Sequence, residues 1–130
     1  MNRQGKGRWA EEWAARYLAE QGWEILHRNY RCRCGEIDLI AVEGGVLVFV
    51  EVRGRTSDVC GLPEESLTLP KRRRLMAAAA FYLSRAAGKA GAGEGQREYR
   101  FDVLTLLHQK GRVVSFQHYR NALGAGGVVV

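Results

Sequence analysis

Three acids stand where apolar strands are expected: Glu36 and Asp38 in EIDLIAV (36–42), and Glu51 in VLVFVEV (46–52). Burying a lone carboxylate is costly, so acids in such strands call for a reason. Between the two segments lies Glu43-Gly44-Gly45, and a Gly-Gly pair suits a two-residue hairpin turn with positive φ. With Gly44 and Gly45 in the turn, paired positions sum to 89, and Asp38 falls opposite Glu51. Directly opposed side chains have Cβ atoms about 4.5–5.5 Å apart on one face. Two like charges so placed repel unless a cation or a proton comes between them. A divalent metal with oxygen ligands resolves the conflict. A protonated or arginine-paired carboxyl pair at a solvated sheet end resolves it too, and the sequence leaves both readings open. Arg53 lies two residues beyond Glu51 and points to the same face. Glu36 reads as an ordinary acid at the end of a strand.

The elements that must position these groups follow from periodicity. Residues 8–21 read as a helix, with Ala10, Ala14, Tyr17 and Leu18 on one stripe and Gly22 as its stop. Glu11 lies about 20° from Leu18 on that helix, at the rim of the apolar stripe, so it can lean over the sheet. The competing role for Glu11 is an acid favoured by the helix dipole. Residues 23–30 form a short strand, and 31–35 a basic turn. The segment 54–69 reads as a loop, with Pro70 opening a second helix over 70–87. Residues 88–96 are Gly/Ala-rich and read as a flexible linker, 99–108 and 112–118 as strands, and 124–130 as a frayed tail. The order α-β-β-β-α-β-β predicts an α/β domain, a mixed central sheet flanked by helices, with a helical crossover joining parallel strands 46–52 and 99–108.

The strings GEIDLIA (35–41), FVEVRGR (49–55), RFDV (100–103) and AEEWAARYL (10–18) resemble the uncharacterised bacterial YraN family. The spacing from Asp38 to Glu51-Val52-Arg53 resembles the PD-(D/E)XK motif of restriction-endonuclease-like nucleases. The resemblance runs from about Gly7 to Leu123. It implies a three-layer αβββαβ core in one domain spanning 1–130, and a nuclease-like site similar to that of archaeal Holliday junction resolvases. Carried over by position, Asp38, Glu51 and the Val52 carbonyl would hold Mg²⁺ or Mn²⁺, Glu11 matches the helix-borne acid, and Arg53 takes the usual lysine position. Arginine stays charged and does not deprotonate water. Either the metal activates the water, with Arg53 on the phosphate, or activity is reduced or absent.

Lys plus Arg total 20 against 14 Asp plus Glu, a net charge of +6 that favours a polyanionic partner. Lys71, Arg72, Arg73 and Arg74 crowd the first turn of the second helix, where cations oppose the helix dipole and a phosphate would compensate. Arg55, Arg28, Arg31 and Arg33 flank the acids in sequence. The expected activity is therefore metal-dependent DNA endonuclease chemistry, with branched or structured DNA as the candidate substrate. The alternatives are a non-catalytic nucleic-acid-binding module and a protein-interaction domain with a vestigial site. A homodimer is expected only by analogy with the resolvases. Asp102 is expected to pair with Arg100 or a neighbouring basic group, and Trp9, Trp13 and Trp23 to serve as core or interface anchors. Cys32, Cys34 and Cys60 are an odd set without metal-finger spacing, which disfavours both a disulfide framework and zinc. Reduced thiols, no secretory signal and no apolar run of membrane length make the cytoplasm the expected location.

Overall fold

The computed structural model describes residues 3–56, 68–89, 97–123 and 127–129. Its elements are α1 (Arg3–Glu20), β1 (Glu24–Cys32), β2 (Gly35–Glu43), β3 (Val46–Arg55), α2 (Leu69–Lys89), β4 (Arg97–Gln109), β5 (Arg112–Tyr119) and β6 (Gly127–Val129). One mixed sheet runs in the order β1-β2-β3-β4-β5, with β6 pairing the start of β4. Strands β1, β2 and β3 form an antiparallel meander, β3 and β4 run parallel, and β5 returns antiparallel. This α/β architecture, with the parallel pair joined through α2, is the three-layer core expected from the resemblance.

The β2–β3 hairpin is pinned by its turn. Gly44 (φ 53°) and Gly45 (φ 90°) both occupy the left-handed region that a two-residue turn of this hand demands. Every β2–β3 pair, from Glu43 with Val46 to Leu39 with Val50, obeys the register expected from the sequence.

Alternation along the strands then feeds two cores. Leu39, Ala41, Val48, Val50, Leu104 and Leu106 face α1, which answers with Ala10, Ala14, Ala15 and Leu18. Ile37, Ile40, Leu47, Phe49 and Phe101 face α2, which answers with Leu75, Ala78 and Ala79. The small α1 residues let the helix lie close to the sheet. At its end, Trp23 N–H donates to Leu18 O and Gly22 N–H to Ala19 O, with Gly22 at φ 92°. That glycine-terminated cap sends the chain into β1 and drops Trp23 into the α1-side core. Full burial of each large side chain contributes about 1.5–3 kcal/mol.

The structure extends several elements. Helix α1 begins at Arg3, ahead of the expected residue 8, and β1 runs on through Arg31 and Cys32, which had read as a turn. Strand β3 continues to Arg55, and the expected tail contributes β6 over 127–129. Thr68 caps α2, its Oγ1 accepting from Lys71 N–H at 3.3 Å and its carbonyl from Arg72 N–H at 2.9 Å. The larger parts of the expected loop (57–67, with Cys60) and linker (90–96) lie outside the described residues. No helix among the described residues is long and apolar enough to cross a membrane.

Candidate functional site

The site forms where the β2–β3 ladder ends. Backbone pairing stops at Leu39 with Val50. One residue further on, Asp38 Oδ2 accepts the Val52 N–H at 2.8 Å, so a side chain takes the place of a strand carbonyl. The pleat also slips here. Ile37 and Ile40, three apart, both face α2. On β1, His27 and Tyr30, also three apart, both pack on Tyr82 of α2. The residues at the slip are Asp38 and Asn29, which the register of Arg28 with Leu39 and Tyr30 with Ile37 sets across from each other. Asn29 has φ 53°, a left-handed conformation that asparagine tolerates better than most residues. The slip takes Asp38 out of both cores and turns it to the end of the sheet.

An open cleft of about 980 Å³ lies there, between the start of α2, α1 and the forked strands. Its lining includes the acids Glu11, Glu36, Asp38 and Glu51 and the cations Arg8, Arg31, Arg53, Lys71 and Arg74. Two close approaches bring the helices in. A Cβ on Gly54 would sit 2.9 Å from Ala10 Cβ and 3.0 Å from Trp9 Cζ2, so glycine lets α1 close on β3 next to Glu11. A Cβ on Gly35 would sit 2.8 Å from the Arg74 carbonyl, so the β1–β2 turn touches the first turns of α2.

The electrostatics follow from that crowding. Burial, first, and then the Glu51 charge push the Asp38 carboxyl up to about 9, against the Val52 N–H that favours its charged form. Asp38 also shares a hydrogen bond with Glu51. Burial likewise raises Glu11, with Glu36 and Glu51 adding to it and a hydrogen bond from Asn29 opposing it. Glu11 Oε1 is buried without a hydrogen-bond partner among the described residues. Arg53 Nη1 lies 3.5 Å from Glu51 Oε2, a long contact between two partly buried groups. Carboxylates held this close share either one proton or one cation.

Of the residues singled out from sequence, Glu11, Asp38, Glu51, Val52, Arg53, Arg31, Lys71 and Arg74 line this one cleft. Arg33, Arg55, Arg72 and Arg73 do not line it. A helix start presents successive side chains about 100° apart, so one cleft takes Lys71 and Arg74 and passes over the two between them. Sequence reasoning missed Asn29, Arg8 and the place of Glu36, which ion-pairs with exposed Arg31 at 3.3 Å and faces Glu11. Only the pleat slip brings Asn29 and Glu36 to the site, and nothing in the composition of 24–36 announces it.

Asp102 behaves as the sequence suggested. It is fully buried in the middle of β4, in register with Val50, and held by Arg100 (2.9 and 3.2 Å), His118 Nε2 (2.8 Å) and the Asn121 N–H (2.9 Å). These partners hold its carboxyl below the usual range in spite of its burial. Glu43 extends the network through Arg100 and Arg120. Trp23 sits beneath both guanidinium groups and, like Trp9 and Trp13, belongs to the α1-side packing.

The model of uncharacterised protein family UPF0102, the YraN family, matches residues 10–106. The chain belongs to this family. A UPF0102 protein of Lachnoclostridium phytofermentans is 43% identical over 127 residues, covering 98% of this chain and 99% of that protein. A UPF0102 protein of Pelotomaculum thermopropionicum is 48% identical over 117 residues, covering 89% and 92%. One from Caldicellulosiruptor saccharolyticus is 40% identical over 123 residues, covering 94% and 99%. The UPF0102 match contains Glu11, Asp38, Glu51 and Arg53, so the cleft acids lie within the matched region.

Proposed function

We propose that the protein is a metal-dependent DNA endonuclease, with branched or otherwise structured DNA as the substrate class. The observation that carries this reading is the meeting of Asp38 and Glu51 at the strand fork, inside a cleft that sets Arg8, Arg31, Arg53, Lys71 and Arg74 around its four acids. The donors suit a hard divalent ion. They are all oxygen, and Glu11 Oε1 is a buried acceptor with no hydrogen-bond partner among the described residues. Among the described residues no three His, Cys, Asp or Glu side chains form a ready-made cage. Mg²⁺ and Mn²⁺ sites in phosphoryl chemistry use one or two carboxylates and complete their shells with water and phosphate oxygens. Asp38 and Glu51 would hold Mg²⁺ or Mn²⁺, with Glu11 and the Val52 carbonyl beside them, and the ion would supply Lewis acidity towards phosphate and water.

The chain's own groups do the rest. Arg53 carries a permanent charge and stabilises the negative charge that builds on the scissile phosphate. Arg31, Lys71 and Arg74 hold the neighbouring phosphates and fix the strand across the acids. Asp38 would hold the ion as a carboxylate, so its proton would compete with the metal for the site. The test is incubation with linear, nicked and four-way DNA plus Mg²⁺ or Mn²⁺. The reading expects cleavage that Asp38→Asn abolishes, and cleavage surviving that substitution overturns it.

The contact of Arg53 with Glu51 favours a second reading, a nucleic-acid-binding module without catalysis, because an internal cation competes with a metal for that acid. It expects salt-sensitive DNA binding that is indifferent to chelator, with no cleavage of any of these substrates.

A further inference from the structure

We propose that Asn29 is a positioning residue: its left-handed backbone turns its amide into the cleft, where it holds Glu11 over the Asp38–Glu51 pair. This rests on the metal-site reading above for its consequence, and for the contact on the shared cleft lining and the left-handed turn of Asn29 together with its hydrogen bond to Glu11.

Three independent observations meet at this residue. Asn29 sits inside β1 yet has φ 53°, so the strand accepts a strained residue in its middle. It lies at the step where the side-chain alternation slips, across the sheet from Asp38. Its side chain lines the cleft and donates a hydrogen bond to the Glu11 carboxylate. Glu11 comes from a different element, and its Oε1 is left buried without a hydrogen-bond partner among the described residues. A carboxylate with one supported edge and one bare buried oxygen is held in a fixed orientation towards the other acids. Without Asn29 the Glu11 side chain has rotamers that swing away from them, and the third acid no longer adds to cation binding. Partners that orient a ligand typically alter metal affinity about 10–100-fold.

Asn29→Gly is the chosen variant, because glycine keeps the left-handed backbone and removes only the amide. It is combined with Glu11→Ala in a double-mutant cycle read by thermal unfolding in chelator. The expected result is a drop in Tm on Asn29→Gly in the wild-type background that disappears in the Glu11→Ala background. Equal drops in both backgrounds would mean that Asn29 serves the strand alone, and would overturn the proposal. A second arm titrates Mn²⁺ into each protein and follows the free aquo ion by electron paramagnetic resonance. Asn29→Gly is expected to weaken Mn²⁺ about tenfold, and to weaken Glu11→Ala no further. Wild-type protein that takes up no Mn²⁺ would overturn the metal reading, while the chelator arm judges the contact in either case.

Discussion

Asp38→Asn is expected to make the metal-free protein more stable while disabling its site. Asparagine imitates a protonated aspartate: Oδ1 can accept the Val52 N–H and the amide can donate towards Glu51. In the folded chain burial and Glu51 raise Asp38 from 3.8 to about 9. Between those values the native state binds a proton that the unfolded chain has released, so stability falls as pH rises. Up to pH 7 the ceiling is about 4 kcal/mol, at about 1.4 kcal/mol per unit. Sharing of the proton with Glu51 and water at the open cleft reduce this to about 1–3 kcal/mol. Urea unfolding in chelator at pH 4, 6 and 8 measures it. The difference between variant and wild type isolates Asp38, because every other side chain is common to both. The gap should be near zero at pH 4 and widen to pH 8 in favour of the variant. A variant less stable than wild type at pH 8 would refute the reasoning, since Asp38 would then be charged and stabilised in the fold.

Three further outcomes are expected. Gly54→Ala places a methyl group 2.9 Å from Ala10 Cβ and 3.0 Å from the Trp9 ring, and should cost about 1–3 kcal/mol as α1 is levered off β3, read by urea midpoint. Neutralising Lys71 and Arg74 together should weaken DNA binding and flatten the slope of log K against log salt by about 2, roughly one unit for each phosphate no longer neutralised, read by fluorescence anisotropy. Asp102→Leu should destabilise by about 3–5 kcal/mol, because it takes the acceptor from His118 and the Asn121 N–H and leaves partly buried Arg100 with Glu43 alone. As the folded value of Asp102 is depressed, its contribution is complete above about pH 4 and is lost below it, so wild type but not the variant should lose stability through that range.

What the sequence disclosed was local or tied to a turn. Gly44-Gly45 fixes a register that holds as far as Leu39 with Val50, one step short of Asp38 and Glu51. Arg100 and Asp102 share a face because they are two apart on one strand. The stripe on α1 names the residues that meet the sheet, and Glu11 at its rim follows. Other features depend on the fold as a whole. The pleat slip at Asn29 and Asp38 needs both β1 and β2 in place, so neither Asn29 nor the cleft position of Glu36 could be read from spacing. The four basic residues at 71–74 look equivalent in sequence, and only the placement of α2 separates Lys71 and Arg74 from Arg72 and Arg73. Strand β6 pairs with β4 across about thirty residues of chain, and a three-residue apolar segment gives no pattern to find.

The Asp102 network also bears on how the domain is made. Arg100 leaves the ribosome with its partner, but His118 and Asn121 follow 16 and 19 residues later. Until they arrive, the central strand of the nascent sheet carries an acid that has only part of its final company. A polypeptide cut short before His118 would thus bury a half-served charge or leave β4 exposed.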